Sequence, residues 1–318
     1  IPPKSYMFFA HVIKKQPHNK KLLQALLHTH TTMIDYECLH DSQGNRVIAF
    51  GRWAGIIGTY NAFYTWGKRH NTFQLKRAKE YTDYKALKQS FKKIQLPAIK
   101  IALTGSGRVA KGALEILQEL HINQISNADF LNSEFNEAVF TVLDTDALYV
   151  RISDQGYNRD EFHKTPELYK SIFMQYARKC DMLINAIFWN PKAPPLFEKS
   201  DMHDADFHLQ VIADISCDVN GGIPATIRNT TINDPVFGYN KFTDQATAPF
   251  ESDTIDVMAI DNLPNELPRD ASEEFGNLLI QNVIPELLAD KSRMIEEATI
   301  CKNGKLTKYF AYLSDYVR

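Results

Sequence analysis

The feature that most constrains this sequence is a short apolar run followed by two closely spaced glycines and an amphipathic segment. The run from Ile99 to Leu103 is typical of a buried strand, and Gly105 and Gly107 follow it directly. The next apolar residues recur at helical spacing: Val109, Ala113, Ile116, Leu117 and Leu120. The sequence therefore predicts a strand, a glycine turn and a helix in immediate succession.

A glycine turn in this context is a candidate binding site for the pyrophosphate of a dinucleotide. Gly105 permits the tight turn, Gly107 lets the backbone approach the phosphates, and Ala110 or Gly112 permits close helix packing. The N–H groups at the start of the following helix favour an anion. The third position of the pattern is Ala110, giving GxGxxA. On this motif alone, an ordinary strand-to-helix turn remains the alternative.

Other apolar runs alternate with helical segments, which predicts an α/β fold with a doubly wound parallel sheet. A helix over 51–67 should pack through small residues and carry aromatic core residues, and Asn19 can cap a helix that ends at His28. Residues 68–97 suggest a solvated helix and 153–171 a loop or insertion. Strands are expected at 5–10, 32–37, 46–50, 99–103, 123–126, 140–143, 147–150, 181–188, 209–214 and 255–260.

Composition gives no sign of a nucleic-acid-binding, membrane-spanning or metal-binding protein. The 318 residues suffice for two domains. A net charge of −2 gives no indication of a nucleic-acid partner, and no apolar run is long enough to cross a membrane. Four scattered cysteines favour reduced thiols and a cytoplasmic location, and the ten histidines show no spacing typical of a metal site.

Charged residues near the first strands are candidate functional residues. His11 follows the strand at 5–10, where α/β sheets bind ligands, and histidine titrates near neutral pH. A strand-end histidine bonded to a nearby carbonyl is an equally good interpretation. Glu37 and Arg46 flank a turn and form either a surface ion pair or a charged pair that faces a site. Asp129, about 20 residues after the glycine turn, is a candidate for binding the adenosine ribose.

An ordered set of motifs resembles one known group of enzymes. The set comprises Tyr6-Met-Phe-Phe-Ala-His11, Ile34-Asp-Tyr-Glu37, Asn45-Arg-Val-Ile-Ala-Phe-Gly51, Trp53-Ala-Gly55, Thr104-Gly-Ser-Gly-Arg-Val-Ala-Lys-Gly112, Asp214-Ile-Ser-Cys-Asp218 and Ile260-Asp-Asn-Leu-Pro264. Together they resemble saccharopine dehydrogenase (lysine-forming) and lysine–2-oxoglutarate reductase, within the alanine dehydrogenase and pyridine nucleotide transhydrogenase superfamily. The resemblance extends over almost the whole chain.

The resemblance implies two Rossmann-like, doubly wound domains with a cofactor cleft between them. Residues 1–50 and 264–318 would form a discontinuous substrate domain that lacks its N-terminal part, and 51–263 would bind NAD or NADP. It also implies an oxidoreductase that acts on a C–N bond. Lysine and 2-oxoglutarate would condense to an imine, which a reduced nicotinamide would convert to saccharopine, or the reverse would occur.

The resemblance also assigns roles to residues of this chain. His11 matches the acid–base histidine, and Lys14, Gln16, Glu37 and Arg46 match polar positions of the substrate domain. Arg46 is suited to binding a substrate carboxylate. The positions expected to bind the cofactor are Gly105, Ser106, Gly107, Arg108, Val109, Asp129, Ile215, Ser216, Asp218, Ile260, Asp261 and Leu263. The group's catalytic lysine precedes the histidine, at a position that would fall before Ile1.

Three alternatives stay open at this stage. The first is an amino-acid dehydrogenase of the alanine dehydrogenase kind, and the second is a dinucleotide-binding protein without catalysis. The third is a structural α/β protein. The absence of the upstream lysine, together with a core strand so close to Ile1, suggests a chain that lacks its original N-terminus. The sequence does not indicate the oligomeric state.

Overall fold

The computed structural model describes residues 4–318, except for the side chain of residue 93. Ile1, Pro2 and Pro3, on which the expectation of a missing N-terminus partly rests, lie outside the described residues. The chain forms two compact units. The first unit comprises the residues up to 50 together with 272–318, and the second comprises residues 51–271.

The strands and helices are numbered in chain order. The strands are β1 Ser5–Phe8, β2 Thr32–Asp35, β3 Lys100–Thr104, β4 Asn123–Gln124, β5 Val139–Leu143, β6 Tyr149–Arg151, β7 Tyr169–Ser171, β8 Met182–Asn185, β9 Val211–Asp214, β10 Phe237–Asn240, β11 Gln245–Thr247, β12 Thr254–Met258, β13 Thr299–Lys302 and β14 Lys305–Leu306. The α-helices are α1 Lys20–His28, α2 Gly51–His70, α3 Tyr84–Ser90, α4 Arg108–Glu119, α5 Asn127–Asn132, α6 Thr145–Leu148, α7 Arg159–Lys164, α8 Met174–Ala177, α9 Pro268–Leu278, α10 Ile284–Leu288 and α11 Arg293–Ala298.

The first unit is built on a four-stranded sheet in the order β1-β2-β13-β14. Strands β1 and β2 are parallel, with Phe8 opposite Asp35, whereas β13 runs antiparallel to β2 and to β14. The carboxyl ends of β1 and β2 therefore lie side by side. Beneath the sheet, a core of fully buried side chains includes Val12, Leu23 and Met33.

The second unit is built on an eight-stranded sheet in the order β11-β10-β12-β9-β8-β3-β5-β4. The six strands from β12 to β4 are parallel, and the hairpin of β10 and β11 completes one edge in the antiparallel sense. Strands β3, β8, β9 and β12 are buried along their whole length, as expected for a sheet covered on both faces. The prediction of an α/β fold with a parallel, doubly wound sheet is confirmed.

Helix α2 packs against α4 at very short range because a glycine of each helix lies against the backbone of the other helix. A Cβ atom at Gly55 would lie 1.9 Å from the carbonyl oxygen of Val109, and one at Gly112 would lie 2.0 Å from that of Arg52. The expected small face of the helix over 51–67 is therefore confirmed. Its aromatic residues are core residues, since Tyr60, Phe63 and Trp66 are buried.

Several local predictions were wrong. Residues 46–50 form no strand beyond a single bridge between His40 and Arg46, because this run buries Ile48 in the core instead of pairing with a strand. The run over 68–97 does not form the expected solvated helix, because residues 68–70 complete α2 and only α3 and short turns follow. Its N-terminal part buries Arg77, which forms an ion pair of 2.8 Å with the carboxylate of Glu266.

Two further elements differ from the sequence-based expectation. The run at 147–150 begins as helix α6 and continues into β6, which pairs only with β7 in a two-stranded sheet. Asn19 precedes α1, but its side chain does not cap that helix. Its amide donates instead to the carbonyl oxygen of His11 at 3.1 Å. The side chain thus fixes the loop that carries the candidate acid–base residue.

Candidate functional site

The glycine turn lies at the carboxyl end of β3, next to the point where the sheet reverses its strand order. Gly105 has a φ of +90°, a conformation that glycine adopts without strain. Its N–H donates to the carbonyl oxygen of Leu143 at 2.8 Å. Helix α4 begins after Gly107, where the backbone N–H of Lys111 donates to the carbonyl oxygen of Gly107.

The turn fits the pyrophosphate of a dinucleotide. Ser106, Gly107 and Arg108 are exposed, and a Cβ atom at Gly107 would meet no atom within 4 Å. The space above Gly107 is therefore open to a ligand, and the first N–H groups of a twelve-residue helix lie at its edge. Val109 is half-buried, and its backbone contributes to the close packing between α2 and α4.

Hydrogen-bonded, buried polar side chains lie at the carboxyl ends of β3, β8 and β9. The hydroxyl of Thr104 donates to Oδ1 of Asn185 at 2.7 Å, and Nδ2 of Asn185 donates to Oδ1 of Asp214 at 2.9 Å. Asp214 also accepts hydrogen bonds from the hydroxyls of Ser216 and Thr226, both at 2.7 Å. Burial raises the pKa of Asp214, although these three hydrogen bonds oppose the shift.

The carboxylate of Asp214 thus holds the loop that carries Ser216 and Asp218. Sequence reasoning did not assign this role to Asp214 or to Asn185. The available signal was a polar residue at the end of an apolar strand run, which occurs in both β8 and β9.

The two loops expected beside the nicotinamide meet at helix α2. A Cβ atom at Gly58 would lie 2.5 Å from the side chain of Ile215 and 3.4 Å from that of Leu263. Ile215, Ile260 and Leu263 are buried, whereas Asp218 and Asp261 are exposed and Ser216 is half-buried. The structure therefore brings these loops together through their apolar residues. Direct contact of either loop with a cofactor stays a prediction.

Asp129 follows β4, which does not pair with β3, and its contact with a ribose stays a prediction. It occupies the first turn of α5, beyond the two-residue strand β4 at the outer edge of the sheet. Its backbone N–H donates to the hydroxyl of Ser126 at 3.0 Å, and that hydroxyl donates to its carboxylate at 2.7 Å. These contacts give Asp129 a local role at the start of α5.

The first unit brings His11, Gln16, Glu37 and Arg46 together at the ends of β1 and β2. Nδ1 of His11 lies 3.6 Å from Oε2 of Glu37, and Oε1 of Glu37 lies 3.9 Å from a guanidinium nitrogen of Arg46. The amide nitrogen of Gln16 contacts Nε2 of His11. The imidazole also stacks on Phe9, with ring centroids 4.9 Å apart.

This arrangement suits proton exchange. If the Gln16 amide donates to Nε2, the proton of a neutral imidazole lies on Nδ1, towards the Glu37 carboxylate. The side chain of His11 is 31% exposed, whereas that of Glu37 is only 12% exposed. His11 therefore remains accessible to a substrate.

Asp35 organises this cluster from below. Its carboxylate is fully buried and accepts the backbone N–H of Ala10 at 3.2 Å and that of Glu37 at 2.9 Å. Burial raises the pKa of Asp35, against the effect of these two N–H groups. The bond to Glu37 also explains why β2 ends at Asp35, two residues before the expected end. The chain turns there into a short 3₁₀ helix.

The lysines that follow His11 lie on the exposed side of its turn. Lys14 is exposed, and Lys15 forms an ion pair of 2.8 Å with Asp315. Within residues 4–318, the structure contains no cluster of histidine, cysteine or carboxylate side chains suited to a metal. No described helix has the length and hydropathy needed to span a membrane.

Comparison with known proteins identifies relatives of this chain. It is 31% identical over 359 aligned residues to the Mus musculus protein named alpha-aminoadipic semialdehyde synthase, mitochondrial. The alignment covers 98% of this chain and 39% of that protein. It therefore spans well under half of that relative. It is also 26% identical to saccharopine dehydrogenase (NAD(+), L-lysine-forming) of Emericella nidulans, over 94% of this chain and 72% of that protein.

Solved structures show the same fold. An L-alanine dehydrogenase matches with a TM-score of 0.61 and 13% identity, over 99% of this chain and 77% of its own. A transhydrogenase from Sinorhizobium meliloti matches with a TM-score of 0.55 and 13% identity, over 95% of this chain and 80% of its own.

A family model agrees with both sets of relatives. The model described as "Alanine dehydrogenase/PNT, C-terminal domain" matches residues 96–309, which include the glycine turn and the loops after β9 and β12. The resemblance inferred from the ordered motifs is thereby confirmed. The chain belongs to the alanine dehydrogenase/PNT C-terminal domain family.

Proposed function

We propose that this chain carries an NAD(P)-dependent oxidoreductase activity on a C–N bond, with saccharopine as the product or substrate. The observation that carries the proposal is the cluster of His11, Glu37 and Arg46 at the ends of two adjacent parallel strands. It supplies a titratable imidazole, a carboxylate and a guanidinium in one place. The match to saccharopine dehydrogenase over 94% of the chain supports this choice among the family's reactions.

The proposed reaction joins the ε-amine of lysine to the keto carbon of 2-oxoglutarate with loss of water. When bound, the reduced nicotinamide supplies the hydride that reduces the resulting imine carbon, and one proton completes the secondary amine. His11 would exchange protons at the nitrogen and at the departing oxygen, because imidazole titrates near neutral pH. Glu37 would orient the imidazole through Nδ1, and Arg46 would hold a substrate carboxylate.

The polar residues around His11 have supporting roles in this proposal. Gln16 contacts Nε2 of His11 and would be displaced when a substrate approaches that nitrogen. Lys14 is exposed on the same turn and would attract an anionic substrate to it. The glycine turn, with Gly105, Ser106, Gly107, Arg108 and Val109, would bind the pyrophosphate. Ile215, Ser216, Asp218, Ile260, Asp261 and Leu263 would line the nicotinamide side.

We propose a small-molecule amino acid and keto acid as the substrates beside the dinucleotide, with no nucleic-acid partner. A cytoplasmic location is also our proposal. It is supported by four cysteines that form no disulfide among the described residues.

The test is oxidation of NADH and NADPH by the purified protein with 2-oxoglutarate and a panel of amines, lysine first. The intact mass of the protein is recorded in parallel. Lysine-dependent oxidation that yields saccharopine is the expected result. Oxidation with pyruvate and ammonium instead would indicate an alanine dehydrogenase-like activity, and dinucleotide binding without turnover would indicate a non-catalytic protein.

A further inference from the structure

The strand next to the glycine turn is not the next strand in the chain. Helix α4 leads into β4, but β4 lies at the outer edge of the sheet, and β5 is inserted between β4 and β3. Strand β5 is parallel to β3, with Leu143 directly opposite Thr104. The residues that follow, Asp144 and Gly105, therefore leave the sheet side by side.

Contacts with the turn fix the position of Asp144. The N–H of Gly105 donates to the carbonyl oxygen of Leu143 at 2.8 Å, and the hydroxyl of Ser106 donates to Oδ2 of Asp144 at 2.8 Å. The second carboxylate oxygen accepts the backbone N–H of Thr145 at 2.8 Å. Asp144 is half-buried, whereas Ser106 is exposed. One acidic side chain is thus joined to the exposed middle of the pyrophosphate turn.

We infer that Asp144, rather than Asp129, selects the dinucleotide, and that it selects NAD(H) over NADP(H). This inference rests on the proposed use of a nicotinamide dinucleotide. An acid at the end of the strand beside the glycine turn is placed to accept hydrogen bonds from the hydroxyls of the adenosine ribose. A 2′-phosphate at the same place would bring two negative groups together.

Neighbouring charges support the same selectivity. Asp146 is exposed two residues further on, in the first turn of α6, and adds a second negative charge. Arg108, which is exposed at the start of α4, would act in the opposite sense by attracting a 2′-phosphate, and the test below includes it. Asp129 already exchanges hydrogen bonds with Ser126 at the outer edge of the sheet.

The test measures the Kd for NADH and for NADPH in the wild type and two variants. Each protein is titrated with each dinucleotide, and nicotinamide fluorescence reports binding. Asp144→Asn keeps the size of the side chain and an acceptor for the Thr145 N–H, but removes the charge. Asp129→Asn is the matched control at the position that sequence spacing suggested. Circular dichroism of each variant checks that the fold is retained.

We expect the wild type to bind NADH at least about tenfold more tightly than NADPH, because like charges at hydrogen-bonding distance repel strongly in a half-buried site. Asp144→Asn should reduce that ratio by about tenfold or more, chiefly by improving NADPH binding. Asp129→Asn should leave the ratio unchanged. A loss of fold lowers both affinities together and does not produce this change in their ratio.

Three results would overturn the inference. The first is a wild type that binds NADPH as tightly as NADH. The second is a ratio of the two Kd values that shifts in Asp129→Asn but not in Asp144→Asn. The third is NADPH binding that Arg108→Ala abolishes while NADH binding persists. The wild-type ratio alone decides the first, even if a variant fails to fold. Selective NADH binding without turnover of lysine and 2-oxoglutarate would refute the proposed reaction and leave the role of Asp144 intact.

Discussion

At the scale of single residues, His11 is the clearest candidate for proton transfer. We expect His11→Gln to lower kcat by about 10²- to 10⁴-fold, the usual contribution of a positioned acid–base group. The Kd for NADH should change little, because His11 belongs to the first unit and the glycine turn to the second. Stopped-flow or steady-state rates and fluorescence titration measure the two quantities. His18→Gln, an exposed histidine of the same segment, is the control.

Equal losses of turnover and of dinucleotide affinity in His11→Gln would contradict this role. They would favour the alternative interpretation, in which a strand-end histidine is structural. The hydrogen bond from Asn19 to the carbonyl oxygen of His11 shows that the backbone here already has such a role, independently of the imidazole.

Arg46 should act on the keto acid. We expect Arg46→Ala to raise the KM for 2-oxoglutarate about tenfold to hundredfold, since a hydrogen bond between charged groups contributes about 1.5–3 kcal/mol. The Kd for NADH should be unaffected. Arg293→Ala serves as the control, because Arg293 is an 87% exposed arginine of the same unit. An unchanged KM in Arg46→Ala would exclude the assignment.

Residue types near a strand end were predictable, but their partners were not. His11 was identified from the sequence as a histidine at a strand end, and Glu37 and Arg46 as a charged pair that flanks a turn. Asp35 was read only as part of a strand, although it is the buried carboxylate that joins the backbone beside His11 to that of Glu37. A buried acid is recognisable only when the groups that donate to it are known.

At the scale of elements, the contact between α2 and α4 depends on two glycines. We expect Gly112→Ala to lower the free energy of unfolding by about 1–3 kcal/mol, as overpacking does. The added Cβ would lie 2.0 Å from the carbonyl oxygen of Arg52, so the helices must separate. The midpoint of urea unfolding measures the effect.

Gly276→Ala is the matched control within a helix. A Cβ atom at Gly276 in α9 would meet no atom within 4 Å. Alanine is the better helix former, so this variant should gain about 0.5–1 kcal/mol. A loss of stability in Gly276→Ala equal to that in Gly112→Ala would contradict this account, because the cost would then not depend on the α2–α4 contact.

Helices and strands with strong apolar periodicity were predicted correctly, including α2, α4 and the buried strands β3, β5, β8, β9 and β12 of the second unit, whereas β10 was not predicted. The failures at 46–50, 68–97 and 147–150 share a physical cause. The residues of these runs make tertiary contacts that do not require a regular strand or helix. Examples are the burial of Ile48 in the core and the ion pair between Arg77 and Glu266. Local pattern does not distinguish a strand from an irregular segment that fills a core.

At the scale of the whole molecule, the reactivity of the four thiols measures the unfolding of each unit, because each unit contains two of them. Burial raises the pKa of Cys38 and of Cys217 to about 12, and it also raises those of Cys180 and Cys301. Because the thiolate is the reactive form, Cys38 and Cys217 of the native protein at pH 8 should react with a disulfide reagent at least about a hundredfold more slowly than in the unfolded chain. Cys180 and Cys301 should also react more slowly than in the unfolded chain.

The sign of the pH dependence follows from the raised pKa values. The unfolded chain releases thiol protons near pH 8.5–9, whereas the native chain retains them, so the free energy of unfolding should fall as the pH rises above that range. In denaturant, Cys38 and Cys301 of the first unit should become reactive together, as should Cys180 and Cys217 of the second. Mass spectrometry of quenched samples measures this. Rapid native labelling of either pair would refute the prediction.

The sequence by itself determined the strand, turn and helix around Gly105 and Gly107, the parallel α/β fold and the family, because these depend on local spacing and on ordered motifs. Only the tertiary structure decided which acid lies beside that turn. The order of strands in a sheet is set by packing between segments far apart in the chain. Strand β5 therefore displaces β4 from the position beside β3, and Asp144 takes the place for which spacing had suggested Asp129.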